Sequence, residues 1–185
     1  MPMITRRDFA GAIVALAWGH ARALGAAGAA ATPLEVLLIR HAEEEKSHPD
    51  EHLNAEGRKR ANGLAGMFLA QFAPPGLLFA ARSSKASHRS METLTPLSAA
   101  LGLKIDDSFA NTQYRDLAKA ILTRPDCAGK RILVCWHQEN LPQLARALGA
   151  KGAPFDWPGK QFDHVWRLQY SAQGVAFSDV VQRLA

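Results

Sequence analysis

Three short apolar runs dictate what this chain can fold into. They are Leu34–Ile39, Leu77–Ala81 and the stretch from Arg131 to Trp136, and each is nearly continuous rather than alternating with polar residues. At five or six residues they are too short for buried helices, and they read as strands buried on both faces. Helical periodicity lies between them. Ala61, Leu64, Ala65, Phe68, Leu69 and Phe72 share one face, with Asn54 as N-cap and Pro74-Pro75-Gly76 as the stop. Met91, Leu94, Leu97, Ser98 and Leu101 mark a second helix, kinked at Pro96 and closed by Gly102. Leu117, Ile121 and Leu122 mark a third, stopped by Pro125, and Leu141, Leu144, Ala145 and Leu148 a fourth, ending at Gly149. Leu103-Lys104-Ile105 is a short strand candidate. Val165–Tyr170 and Val175–Val180 flank a turn and read as a hairpin, so one of them runs antiparallel. Strands alternating with helices predict an α/β fold, with a mostly parallel sheet covered on both faces.

Composition narrows the class. The 185 residues suit one domain, and 48% hydrophobic with 21% charged residues excludes a disordered chain. Two cysteines exclude a disulfide scaffold. Cys135 reads as a small buried thiol in a strand and Cys127 as a loop residue, with a bridge between them the alternative. The net charge is +5, but residues 1–31 hold three arginines against Asp8 and so carry +2 of it. The remaining +3 is spread along the chain, so no nucleic-acid partner is expected.

Residues 1–31 have the order of an export signal: Arg6-Arg7, an apolar stretch from Ala10 to Trp18, then an Ala/Gly tract. The arginine pair followed by Phe9 resembles the twin-arginine signal, whose machinery carries folded proteins. Gly19, His20 and Arg22 interrupt the apolar run too early for a membrane span. Small-residue cleavage sites end at Ala23 and Ala31, and the second is preferred. The expectation is a signal peptide over 1–31, a domain over 32–185, a periplasmic location and no membrane association after cleavage.

The strand ends carry the chemistry. In an open α/β sheet, ligands bind beyond the carboxyl ends of the strands. The first run leads into Arg40-His41, the second into Arg82-Ser83-Ser84 and then Ser87-His88-Arg89, and the later one into His137. If these strands are parallel, two histidines and at least two arginines meet at one edge. Arginine offers a planar fork of donors suited to phosphate, and with Ser87 capping the second helix Arg89 would sit in its first turn beside free backbone N–H groups. A neutral imidazole is a nucleophile toward phosphorus, and a second one stabilises the transferring group. The set reads as a site for phosphate monoesters.

These blocks resemble the histidine phosphatase superfamily, also called phosphoglycerate mutase-like. Leu38-Ile39-Arg40-His41-Ala42-Glu43 is similar to its Arg-His-Gly signature, and Leu53 through Ala61 to its Leu-Thr-x-x-Gly-x-x-Gln-Ala block. Ser83-Ser84 through Arg89 to Thr93 resembles the Ser-Pro…Arg-x-x-x-Thr block, and Val134-Cys135-Trp136-His137 the late strand that ends in a second histidine. The resemblance implies a three-layer α/β/α sandwich, His41 as nucleophile, Arg40 and Arg89 as phosphate ligands, His137 completing the pocket, and catalysis with neither metal nor cofactor. The partners implied are a small phosphorylated substrate and, for the signal, the twin-arginine machinery.

The departures from that pattern are specific. Ala42 stands for the glycine, the proline after Ser83 is missing, and Arg89 lies one residue further on than usual, which brings Arg82 forward as a competitor. Gln138 occupies the place of an acid in the branch with His-Asp-x-Asn-Ile, which leaves Glu139 or Asp107 as proton donor, with Glu139 preferred. Glu43-Glu44-Glu45-Lys46 reads as a charged loop that disfavours acidic ligands or orients Arg40. His48 and His52 read as loop residues rather than a metal site, His88 and His164 as structural, and Trp157 and Trp166 as packing or rim residues. The expected activity is a small, uncapped, exported phosphatase. The alternative is a phosphate-pocket binding module that has lost turnover.

Overall fold

Alternation of side chains along a strand explains how an unbroken apolar run is used. In the computed structural model, which describes residues 32–45 and 51–184, strand β1 spans Glu35–Arg40 and every one of its residues is buried. Val36 and Leu38 join one core with Phe79, Ile132, Val134 and Trp136, while Leu37 and Ile39 join a second core with Leu78, Leu133 and Cys135. Each core lies on one face of the sheet, so a run apolar at every position has a partner at every position.

The sheet has six strands in the order β3-β2-β4-β1-β5-β6. They are β1, β2 (Leu77–Ala80), β3 (Ile105–Asp106), β4 (Arg131–Trp136), β5 (His164–Ser171) and β6 (Gly174–Val181). The pairs β1–β4, β4–β2 and β2–β3 are parallel, and β5 is antiparallel to both β1 and β6. Helices α1 (Ala55–Gln71) and α2 (Arg89–Leu101) pack together, as do α3 (Tyr114–Thr123) and α4 (Leu141–Ala147). Buried residues of α1 and α2 join one core and those of α3 and α4 the other, so the helix pairs cover opposite faces. The expected three-layer α/β/α architecture is present. The hairpin turns at Gly174, whose φ of 117° is one that residues with a Cβ rarely adopt.

Local signals held at the helix ends. Asn54 accepts a hydrogen bond from Gly57 N (2.9 Å) and Gly102 takes the left-handed conformation (φ 63°). Other expectations need correction. The short strand is Ile105–Asp106, shifted past Leu103, and β1 starts after an exposed Leu34. Leu69 is 64% exposed rather than on the buried face of α1, which Gly57, Ala61, Leu64, Met67 and Phe68 already fill. Ser87 serves the start of α2 as expected, its Oγ accepting from Arg89 N at 3.3 Å, with His88 between them in helical backbone and without a side-chain bond of its own. Cys127 and Cys135 are both buried and free, so the bridge is not formed. Trp157 and Trp166 are buried and pack at 4.6 Å between ring centroids. His164 is tied to Asp179 Oδ1 at 2.7 Å, and His88 stacks on His52. The export signal and His48 lie outside the described residues.

At the far end of β1 from the histidines, Glu35 is 2% exposed and accepts from both Arg131 and Arg167. Arg131 is its register partner on β4, and Arg167 reaches it from β5. One carboxylate therefore ties three adjacent strands. Removing one member of a buried ion set leaves uncompensated charge behind. Glu35→Ala should lower unfolding free energy by about 2–3 kcal/mol, at the low end of such losses because both arginines reach water. A shift in the urea midpoint at constant m-value is the measurement, and an unchanged midpoint would refute the role.

Candidate active site

Register puts the two histidines together. Arg40 pairs with Trp136 across β1 and β4, so the residues that follow, His41 and His137, leave the sheet side by side. His41 N donates to Trp136 O at 3.0 Å, which extends the pairing by one rung. The rings lie 5.1 Å apart at 66°, and both residues are buried. Arg40 and Arg89 approach the same spot, the first from the end of β1 and the second from the start of α2. The structure therefore gathers four of the five residues singled out from the sequence around one point, and the fifth, Glu139, lines the adjoining hollow.

The His41 ring is held in one tautomer. Nδ1–H donates to the carbonyl of Ala42 at 2.8 Å, which leaves the lone pair on Nε2. Burial pushes the pKa of His41 well below its ordinary 6.5. The Ala42 hydrogen bond opposes that shift, and the positive charge of Arg40 and Arg89 adds to it, as would protonation of His137. His137 is lowered too, by burial first, with the Glu139 carboxylate opposing. Both rings are thus neutral at pH 7 and carry unprotonated nitrogen.

The loop after His41 is pinned from three sides. Ala42 N donates to Thr93 Oγ1 (2.9 Å), whose hydroxyl donates to Arg89 O one turn earlier in α2 (2.7 Å). That explains a threonine four residues after the arginine: it joins the helix to the nucleophile loop. Asn54 N donates to Glu43 O and Asn54 Nδ2 to Glu44 O, both at 3.0 Å. Gly57 lies so close that a Cβ there would overlap the Glu43 carbonyl oxygen. Glu43 pairs with Arg60 on α1. No residue but glycine has a positive φ among the described residues, so Ala42 serves without strain where the signature has glycine.

Arg40 is held through both Nη atoms and one face of its guanidinium, while its buried Nε has no hydrogen-bond partner among the described residues. It is 2% exposed, its Nη1 donates to Gly159 O (2.7 Å), and its guanidinium lies 3.8 Å from the ring centre of Phe162. Its Nη2 donates to Glu44 Oε1 at 3.0 Å, while the other oxygen of Glu44 pairs with Arg89 Nη1. The charged loop therefore does orient Arg40, as one of the two sequence readings held.

The hollow beside the histidines holds about 410 Å³. Its walls include Arg82, Ser83, Ser84, Ser87, Arg89, Asn111, Thr112, His137 and Glu139. Glu139 accepts from Asn111 Nδ2 at 2.8 Å. Asp107 lines a different cleft, with Lys104, Asp106 and Arg124, so the structure places Glu139 and not Asp107 at the site. Arg82 is on the rim and donates to Ser108 O (3.2 Å). Gln138 is absent from the lining. Sequence reasoning missed Asn111, Thr112, Gly159 and Phe162. The first two follow β3 and were reachable by the strand-end rule, had so short a strand been given weight. The last two come from the long connection between α4 and β5, which carries no local signal. Among the described residues no group of three or more His, Cys, Asp or Glu is placed to hold a metal ion.

No family model matches the sequence, and no curated protein does. Solved structures share the fold. A protein of Agrobacterium tumefaciens provisionally named the phosphohistidine phosphatase SixA superposes with a TM-score of 0.53 at 17% identity, covering 80% of this chain and 99% of that one. The mycobacterial glucosyl-3-phosphoglycerate phosphatase, solved with inorganic phosphate, gives 0.53 at 13%, covering 82% and 97%. A protein of Escherichia coli provisionally named an alpha-ribazole-5′-P phosphatase gives 0.55 at 13%, with the same coverage. The chain has the fold of these phosphatases, as the resemblance of its motifs led one to expect.

Neutral burial of the imidazoles ties stability to pH. In the unfolded chain both titrate near the ordinary 6.5, whereas in the folded chain they resist protonation to lower pH. Below about 6.5 the unfolded chain binds protons that the folded chain refuses. Stability is therefore full above that value and declines as pH falls toward the folded pKa values. His41→Asn, which cannot titrate, should remove part of the decline in urea-unfolding free energy between about pH 7 and about pH 5. An identical slope in the variant would mean that His41 is not held neutral.

Proposed function

We propose that this chain is a phosphoric monoester hydrolase that works through a phosphohistidine on His41. The observation that carries the reading is a buried, neutral His41 with its Nδ1 proton committed to Ala42 O, facing His137 at 5.1 Å with Arg40 and Arg89 alongside. Nε2 of His41 attacks phosphorus and forms the N–P bond as the bond to the leaving group breaks. Glu139, as the acid, protonates the departing oxygen or nitrogen. Water then attacks phosphorus and returns a proton to Glu139, and the N–P bond breaks to release inorganic phosphate and the neutral imidazole. Arg40, Arg89 and an N–H of His137 hold the charge that spreads over the three non-bridging oxygens. Nothing in this sequence of steps calls on a metal or other cofactor.

The hollow is open and carries Arg89, three serines, Asn111 and Thr112 on its walls, which suits small phosphate esters or phosphoramidates. The phosphohistidine, alpha-ribazole-5′-P and glucosyl-3-phosphoglycerate in the names of the fold neighbours fall within that range. A second reading, a binding module without turnover, draws on Gln138, which stands where the acid phosphatase branch has an acid. Turnover of an aryl phosphate separates the two. The enzyme reading expects an acid-labile phosphoenzyme and loss of about 10³-fold or more in rate on His41→Ala. It also expects Glu139→Gln to slow alkyl phosphates far more than aryl phosphates, whose leaving groups need no proton. Phosphate binding without turnover of any ester would favour the module.

Export belongs to the same proposal: residues 1–31 act as a twin-arginine signal that delivers the folded domain, residues 32–185, to the periplasm. The Arg6-Arg7 pair and the apolar stretch after it support this. Residues 1–35 fused to a folded reporter should deliver it to the periplasm, and replacing Arg6-Arg7 with Lys-Lys should stop delivery. Unchanged delivery would sink the twin-arginine assignment.

A further inference from the structure

The feature left unexplained by phosphate chemistry is Glu44. Its two oxygens are divided between Arg40 Nη2 and Arg89 Nη1, so one carboxylate bridges arginines from two different elements. Two parallel donors from guanidinium groups are what a phosphate would receive. The carboxylate is placed there by design of the backbone. Asn54 holds the carbonyls of Glu43 and Glu44, and Glu44 makes an isolated antiparallel bridge with Leu53. It is also the carboxylate best placed to reach both arginines: Glu43 is engaged by Arg60, and Glu139 by Asn111.

Orienting Arg40 accounts for only one of these two contacts, and Gly159 and Phe162 share that task. A carboxylate that also reaches Arg89 does something else: it neutralises part of the charge and fills the seat. We infer that Glu44 is an internal anion that competes with free phosphate for Arg40 and Arg89 and so speeds release of the phosphate product. The inference rests on the reading of this hollow as a phosphate seat, and its test does not depend on turnover.

Competition of this kind lowers the affinity for every phosphoryl group by the same factor. A ligand must displace the Glu44 carboxylate before it can use both arginines, and every phosphoryl group meets that cost. A substrate has a second set of contacts, along the polar wall of Arg82, Ser83, Ser84, Asn111 and Thr112, to offset it. Inorganic phosphate has none. The carboxylate therefore weakens both alike, so that free phosphate is held loosely while the wall contacts still retain a substrate. At about 23% exposure the Glu44 side chain has an outlet to solvent, so leaving the seat does not strand its charge in the core.

The test is calorimetric titration of the full chain with inorganic phosphate. Glu44→Gln removes the charge with little change of shape, and Glu44→Ala removes the bridging group altogether. Both should bind phosphate about tenfold or more tightly than the native protein, the scale of one lost charge-assisted contact. Glu43→Gln is the control, because it deletes the same charge one residue away where the partner is Arg60. It should leave the phosphate affinity within about twofold. Unchanged or weaker binding in both Glu44 variants would overturn the inference while leaving the phosphate seat intact. So would equal tightening in Glu43→Gln, which would mean that only overall charge matters. No phosphate binding by any of these chains would overturn the seat itself, and the inference with it.

Discussion

The parallel pairing of β1 with β4 is the constraint on which the site depends. Six consecutive rungs run from Glu35–Arg131 to Arg40–Trp136, and the first pair of residues beyond them is His41 and His137. A slip of one residue would turn every side chain of β1 to the opposite face. The two cores exclude that, since each face has its own set of partners from helices on its own side. Glu35 fixes the same register from the other end by tying β1 to β4 and β5. Hydrophobic packing and one buried carboxylate thus set the distance between two imidazoles some six residues away.

Burial then decides their chemistry. An imidazole in water at neutral pH is divided between two tautomers and partly protonated, and neither condition suits a nucleophile. Enclosing the ring removes the proton, and the Ala42 carbonyl selects the tautomer. The neighbouring arginines push the same way, so the groups that would bind an anion also help keep the nucleophile uncharged. Charge balance in the hollow comes from carboxylates outside the histidine pair, Glu44 on the arginines and Glu139 on the Asn111 side.

Much of this was legible in the sequence because it is local. The double-sided strands follow from unbroken apolar runs, the α1 start from Asn54, and the meeting of strand ends from the parallel topology that short runs and intervening helices impose. His41, His137 and Arg40 followed from that topology, and the resemblance, with its spacing from Arg89 to Thr93, chose Arg89 over Arg82. Ser87 was legible because it too is local, its hydroxyl oxygen accepting from Arg89 N at the start of α2. Leu69 was misjudged because an apolar stripe on α1 is wider than the surface available to bury it. The bridge made by Glu44 and the contacts of Gly159 and Phe162 depend on side-chain direction and on chain segments more than a hundred residues apart. No periodicity records them.

Phe162 beneath Arg40 has one more consequence. A guanidinium can stack on an aromatic ring and still present in-plane donors along its edge; Arg40 has its central carbon 3.8 Å from the Phe162 ring centre and donates to Gly159 and Glu44. An ammonium is a point charge without a plane, and could satisfy the ring or the edge partners but not both sets in their present places. What this position demands of evolution is therefore a flat cation. Conservation of sign alone would not preserve the geometry, and drift from arginine to lysine is closed off by a phenylalanine on a distant part of the chain.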